Sequence, residues 1–216
     1  MKIPLWNRKM RTRLTIWGKL LVILILFLLF YIWMRNIHPF LSKNKPVQAD
    51  ILVAEGYIPD YAMKDVIKEF NKNHYHILVV SGNPVDYGFY YTKFGNTADA
   101  GRVTLIKLGM DSTKVFSAPA PYSKRDRTYA AALSVKHFMD SIRVKSKAIN
   151  LYSFGCHARR SWLLYKKAFG HEYQVGVLCS YKNTYDPNRW WRWSDGVREI
   201  TDESVAFIYA SIFFRK

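Results

Sequence analysis

Residues 148–170 read "AINLYSFGCHARRSWLLYKKAFG". The first seven are almost continuously apolar, the pattern of a strand buried on both faces. Beyond Gly155 the period changes. Ala158, Trp162, Tyr165 and Phe169 recur at helical spacing on one stripe, while Arg159, Lys166 and Lys167 point elsewhere. A buried strand running into an amphipathic helix is the repeating unit of a parallel sheet. At the junction stand a thiol, an imidazole and two guanidinium groups: Cys156, His157, Arg159 and Arg160.

The same alternation extends both ways along the chain. "DILVAEG" reads as a buried strand, and "DYAMKDVIKEFNKN" as a helix with Ala62, Val66, Ile67 and Phe70 on one face. "YHILVVSGN" is a strand ending in a Ser-Gly turn. An aromatic loop follows, then the helix "TADAGRVTLIKLGM", which stops near Gly109. "TKVFSAP" and "YQVGVLCS" are further strands, and "SKRDRTYAAALSVKHFMDSI" is a loop running into a helix. The tail, "DPNRWWRWSDGVREITDESVAFIYASIFF", is an aromatic loop followed by a long helix. Apolar strands separated by helices predict an α/β domain with a mainly parallel sheet covered on both faces, doubly wound if its crossovers are right-handed.

This domain, residues 50–216, follows a different kind of segment. Residues 16–34, "IWGKLLVILILFLLFYIWM", are apolar except for Lys19. As a helix they would be about 28 Å long, enough for a hydrocarbon core of about 30 Å. Lys19 lies one turn inside, where its stem can snorkel, and Trp17 and Trp33 sit at the ends as interfacial anchors do. Residues 1–15 carry Lys2, Arg8, Lys9, Arg11 and Arg13 and no acid. The positive-inside rule then predicts a cytoplasmic N-terminus, a transmembrane helix and an extracytoplasmic domain. A cleaved signal peptide is the competing reading, with "VQA" at Val47–Ala49 as its cleavage site. That site lies far beyond the apolar run and immediately ahead of a core strand, so an uncleaved anchor is favoured. Residues 35–49 then form a polar tether.

The whole chain has 216 residues and a formal charge of +17. From Arg35 onward, Lys and Arg outnumber Asp and Glu by 27 to 16, a net of +11. Two readings of that charge remain open: a solvated surface attracted to anionic headgroups or polymers, and a pocket for a phosphorylated ligand. Nucleic acid is excluded as a partner by the side of the membrane on which the anchor places the domain.

Ligands of open parallel sheets bind outside the carboxyl ends of the strands. There the sequence places Glu55-Gly56, Ser81-Gly82-Asn83, Arg125 to Thr128, and Cys156 to Arg160. Two of these turns lead into helix N-termini, which favour an anion. His157 and Arg160 are therefore candidates for an anion-binding rim, the alternatives being a capping or exposed histidine and, for Arg159, a solvated surface residue. In this reading His157 acts as hydrogen-bond donor or general acid, Glu55 orients it or accepts its proton, Arg127 and Arg160 neutralise charge, and Thr128 bonds the ligand. There is no GxSxG elbow, Walker A or GxGxxG stretch, and the six histidines lack metal-ligand spacing, so no metal site is expected and no cofactor can be named. Cys156 and Cys179 each follow the end of a strand. They could form a disulfide if those strands are neighbours, but two unpaired buried thiols are the default. Trp190, Trp191 and Trp193 either close the core or hang over the site; a partial core with Arg189 and Arg192 in solvent is favoured.

The order "ADILVAEG…PDYA", "VVSGN", "RDRTYAAAL", "CHARRS", "DPNRWWRWSDGVREITDESVAF" resembles the ElyC/SanA/YdcF family of bacterial envelope proteins, from Ala49 to the C-terminus. "RDRTYAAAL" and "HARRS" are similar to the family's Thr-containing helix entrance and His-x-x-Arg motif, which fall here on Thr128, His157 and Arg160. The resemblance also marks Gly56 and Ser81-Gly82 as strand-end turns, and Glu199 as the acidic residue of the terminal helix. The chain departs from many members in having Glu55-Gly56 for Gly-Gly and Ala130-Ala131 for Glu-Asn. What the resemblance implies is a Rossmann-like domain anchored in the bacterial inner membrane. It would serve envelope integrity and peptidoglycan or lipid-carrier metabolism by binding, or processing, a phosphate-bearing or lipid-linked ligand. Two alternatives stay open: a non-catalytic module at the membrane surface, and a small-molecule site of the S-adenosylmethionine type, with Glu55 for ribose and the loop Tyr87–Tyr91 for adenine. Whether a reaction occurs is left open.

Overall fold

The computed structural model describes residues 15–85, 93–181 and 184–214. The basic residues Lys2 to Arg13 and the tyrosines of loop 87–91, invoked above for orientation and for an adenine wall, lie outside the described residues. The chain divides into two units, Met1–Ile37 and His38–Lys216.

In the first unit the described chain belongs to helix α1 (Ile16–Leu41), whose mean hydropathy reaches 2.4, long and apolar enough to cross a membrane. Its side chains from Ile16 to Trp33 are nearly all exposed, as a helix solvated by lipid requires. The helix continues past Met34, where the apolar run ends, because His38 and Leu41 are drawn into the core of the second unit.

The second unit is built on five strands, β1 (Ile51–Glu55), β2 (Ile77–Gly82), β3 (Val115–Pro119), β4 (Ala148–Phe154) and β5 (Gln174–Ser180). All pair in parallel, in the order β3-β2-β1-β4-β5. Between them run α2 (Asp60–Lys72), α3 (Thr97–Lys107), α4 (Arg127–Ser141) and α5 (His157–Phe169). A short 3-10 turn (Pro187–Arg192) leads into α6 (Ser194–Ile212). This is the expected doubly wound α/β sheet. Successive strand residues face opposite ways, so the apolar runs feed two cores. Leu52, Ala54, Leu78 and Val80 pack with Ala62, Val66 and Phe70 of α2 and Leu105 of α3. Ile51, Val53, Ile149 and Leu151 pack with Val135 of α4 and Tyr165 and Phe169 of α5.

Residues 35–49 are not the free tether their polarity suggests. Lys45 exchanges backbone hydrogen bonds with Val177 of the edge strand β5, at 2.7 and 3.0 Å. Asn150, buried in β4, clasps Val47 from both sides, accepting from its N–H at 2.9 Å and donating to its carbonyl at 2.7 Å. The segment thereby covers an open sheet edge, a common protection against pairing with other chains. Arg159 binds the same region: its side chain donates to the Phe40 carbonyl and stacks 3.7 Å over the Phe40 ring. That is a fastening role, neither ligand binding nor a solvated surface.

The strands β4 and β5 are neighbours, with Ser153 opposite Cys179. Both cysteines are nevertheless free thiols. Burial pushes both thiols up, so neither is a ready nucleophile. Trp190 is buried and Trp193 exposed, with Arg189 and Arg192 in solvent, a partial core.

Candidate functional site

The strand order reverses between β1 and β4, the switch point at which doubly wound sheets open a crevice. Glu55 ends β1, and His157 opens the helix that follows β4, so the topology sets these two residues on either side of that point. Over it lies a cleft of about 1000 Å³, lined from the β1–α2 turn, the start of α4, the start of α5 and one side of α6.

His157 stands between two carboxylates. Its Nδ1 donates to Glu203 Oε1 at 2.9 Å, and its Nε2 lies 3.6 Å from Glu55 Oε1, an ion-pair distance beyond that of a hydrogen bond. Tyr57 meets the imidazole edge-to-face. Glu203 also receives both arms of Arg160, Nε to Oε2 at 2.8 Å and Nη2 to Oε1 at 2.9 Å, the bidentate geometry guanidinium groups favour. Arg160 Nη2 and His157 Nδ1 lie 2.8 Å apart, both against the same Glu203 oxygen. Glu55 is buried and accepts from three hydroxyls: Ser153, Ser161 at 2.7 Å and Tyr57 at 3.1 Å.

The charges follow from this geometry. Burial disfavours the charge on His157, but the Glu55 carboxylate and the bond to Glu203 overcome it and lift its pKa to about 9. Burial likewise works against Glu203, yet Arg160 and His157 bring it down to about 2. Glu55 stays ionised by the same balance, with His157 and the serine hydroxyls outweighing its burial. At neutral pH the cluster holds two anions and two cations. An imidazolium so held is a donor and not a base. Its Nε2 faces the enclosed Glu55 carboxylate, while the residue as a whole lines the cleft.

Other candidates take different places. Thr128 and Arg127 line the cleft at the first turn of α4. Asp126, just ahead, sits in the left-handed region at φ 54° and makes no capping bond, so this helix opens on the cleft without a side-chain cap. Glu199 lines the cleft but is also a cap: it accepts from Cys156 N at 2.8 Å at the start of α5 and from Tyr185 Oη at 3.0 Å. Ser81 is not a ligand contact. It is buried, and its hydroxyl accepts from Tyr165 Oη at 2.8 Å. Nor do Gly56 and Gly82 meet the cleft. They are bare because α3 packs onto them: a Cβ would lie 2.2 Å from Thr97 O at Gly56 and 2.2 Å from Ala98 N at Gly82. Glu55, enclosed by hydroxyls, does not reach the cleft wall and offers nothing to a ribose.

Sequence reasoning missed Glu203, the centre of the cluster. Its signal was spacing: it lies one helical turn beyond Glu199 on the same face of α6. Asn83, which the sequence places at this edge, was given no role in it. It lines the cleft, and its side-chain oxygen has no hydrogen-bond donor among the described residues. Among those residues no group of acids, histidines and cysteines is arranged to hold a metal ion.

A scan against protein-family models finds no match to this chain, and a search of curated proteins finds none at a significant level.

Proposed function

We propose that the protein is a membrane-anchored factor of the bacterial cell envelope. In this reading it binds a phosphate-bearing, lipid-linked ligand in the cleft at the carboxyl edge of its sheet, with its N-terminus cytoplasmic and its domain outside. The observation that carries the reading is the cleft's mixed lining. Lys124, Arg127 and Thr128 line it at the uncapped start of α4, together with Asp126 and Asn83. Phe154, Leu164, Ala206, Ala210 and Phe214 add an apolar wall, of which Leu164, Ala210 and Phe214 pack against Tyr129 of α4. Helix N–H groups and cations suit a phosphate, and the apolar wall suits a hydrocarbon chain. The resemblance to envelope proteins points the same way.

His157 serves this ligand as a fixed positive charge in the cleft wall, and Arg160 holds Glu203 in place to keep it charged. This favours binding over turnover, since a histidine with a pKa near 9 is a poor base at neutral pH. A methyl-donor site is less favoured because Glu55 is enclosed.

The test is thermal unfolding of the full chain in detergent micelles with a polyprenyl phosphate, the matching alcohol, inorganic phosphate, nucleotides and S-adenosylmethionine. The polyprenyl phosphate should stabilise by about 2.7 kcal/mol at roughly a hundredfold excess over Kd. The Lys124→Ala/Arg127→Ala variant should lose most of that gain. An equal shift with the alcohol, or none with the phosphate, would refute the reading.

A further inference from the structure

The last ten described residues, Val205 to Phe214, read "VAFIYASIFF". A helix apolar on every side is one surrounded by protein or by lipid. Among the described residues, Ile200 and Ala210 of α6 and Phe214 just beyond it are buried on one side. On the opposite side Val205, Ile208 and Ile212 recur at spacings of three and four, and they are 64, 52 and 62 % exposed, with Phe213 beside them at 67 %. Few soluble surfaces carry four such neighbours.

Two further observations say what covers them. Phe40 packs edge-to-face on Phe207 of this same helix, with ring centroids 5.5 Å apart. Phe40 is only six residues beyond Met34, the end of the apolar run of α1, and six residues reach at most about 20 Å. Phe207 of α6 is therefore joined, through Phe40, to the apolar run by only a short length of chain. In sequence, Arg215 and Lys216 follow the apolar run, the kind of basic flank that meets anionic headgroups.

We infer that the outer side of α6, through Val205, Ile208, Ile212 and Phe213, is a second membrane contact that lies in the bilayer interface. Tyr209 stands at its border, half-exposed on that side and lining the cleft on the other. The cleft therefore opens beside lipid, and an amphiphile can pass between bilayer and cleft without crossing water. This inference rests on α1 as a membrane span and is independent of the ligand's headgroup.

The experiment places photoreactive benzoylphenylalanine singly at Leu24, Lys68, Ile208 and Ile212 of the full chain. Each variant is reconstituted in bilayers containing anionic phospholipid, illuminated and read by mass spectrometry. Lipid adducts are expected at Leu24, Ile208 and Ile212, and none above background at Lys68, on an exposed face of α2. Adducts at Leu24 alone would overturn the α6 contact while leaving the span intact. Absence at Leu24 as well would overturn both. Cross-linked dimers at Ile208 and Ile212 in place of lipid adducts would show that a second copy covers this side and would also overturn the proposal. As a fold-independent check, Ile208→Asp/Ile212→Asp should abolish adducts from a probe at Val205. Far-UV circular dichroism of this variant should match the parent, which separates loss of the contact from loss of fold; persistence of the adducts would count against the contact.

Discussion

Replacing His157 with glutamine removes a titrating group from the Glu55–His157–Glu203 cluster while keeping a hydrogen-bond donor of similar reach. In the folded protein the imidazole pKa is raised from 6.5 to about 9, because two carboxylates outweigh its burial. A group whose folded pKa lies above its unfolded value stabilises fully below the unfolded one, and that contribution disappears as pH rises through the folded one. The relevant window is therefore pH 6.5 to about 9. At about 1.4 kcal/mol per pH unit, the rise amounts to at most about 3.5 kcal/mol. The side chain is only 16 % exposed, so little is lost to solvent screening. Urea unfolding of the full chain in micelles, followed by tryptophan fluorescence from about pH 6 to about pH 10, reads the effect directly. The stability difference between the parent and His157→Gln should be largest at the acid end and shrink by up to about 3.5 kcal/mol across the window. Subtracting the variant cancels the other five histidines, and the Glu203 contribution is lost only as pH falls towards about 2, well outside the range. A difference that stays flat from pH 6.5 to pH 9 would mean that His157 is not a held cation, and its role as a fixed positive charge would fall with it.

Three other expectations can be checked by the same unfolding assay. Arg160→Gln and Glu203→Gln should each cost about 2–4 kcal/mol, and the double variant should cost less than their sum by about 1–3 kcal/mol, because each single change strands a largely buried partner. Asn150→Ala should cost about 2–3 kcal/mol by orphaning the Val47 backbone, and limited proteolysis should then cut between residues 42 and 49, where the parent resists. Gly82→Ala, whose new Cβ would lie 2.2 Å from the Ala98 backbone, should displace α3 and cost more than about 3 kcal/mol. Gly109→Ala meets open space and should cost only about 1 kcal/mol for its positive φ; equal costs at the two glycines would refute the packing argument.

The sheet was legible from the chain because its information is local. "AINLYSF" followed by a helical stripe from Ala158 to Phe169 declares strand and helix through side-chain period alone, and five such strands admit few arrangements. The apolar run of α1 was legible for the same reason. Strand-end logic also brought His157, Arg160, Arg127 and Thr128 to one rim. What sequence position does not encode is which way a buried group is satisfied. Ser81, Gly56 and Gly82 share that edge, but Tyr165 takes the first hydroxyl and α3 fills the space over both glycines. Glu203 lies 46 residues from His157, and nothing in its own neighbourhood shows that α6 would lay it across Arg160. Asn150, one residue in an apolar strand, similarly gives no local hint that it holds Val47 from 103 residues away. Secondary structure follows from periods of two and nearly four residues. The ion-pair cluster, the clasped segment 42–49 and the apolar outer side of α6 depend on which surfaces remain after the helices have packed, and only the tertiary structure decides that.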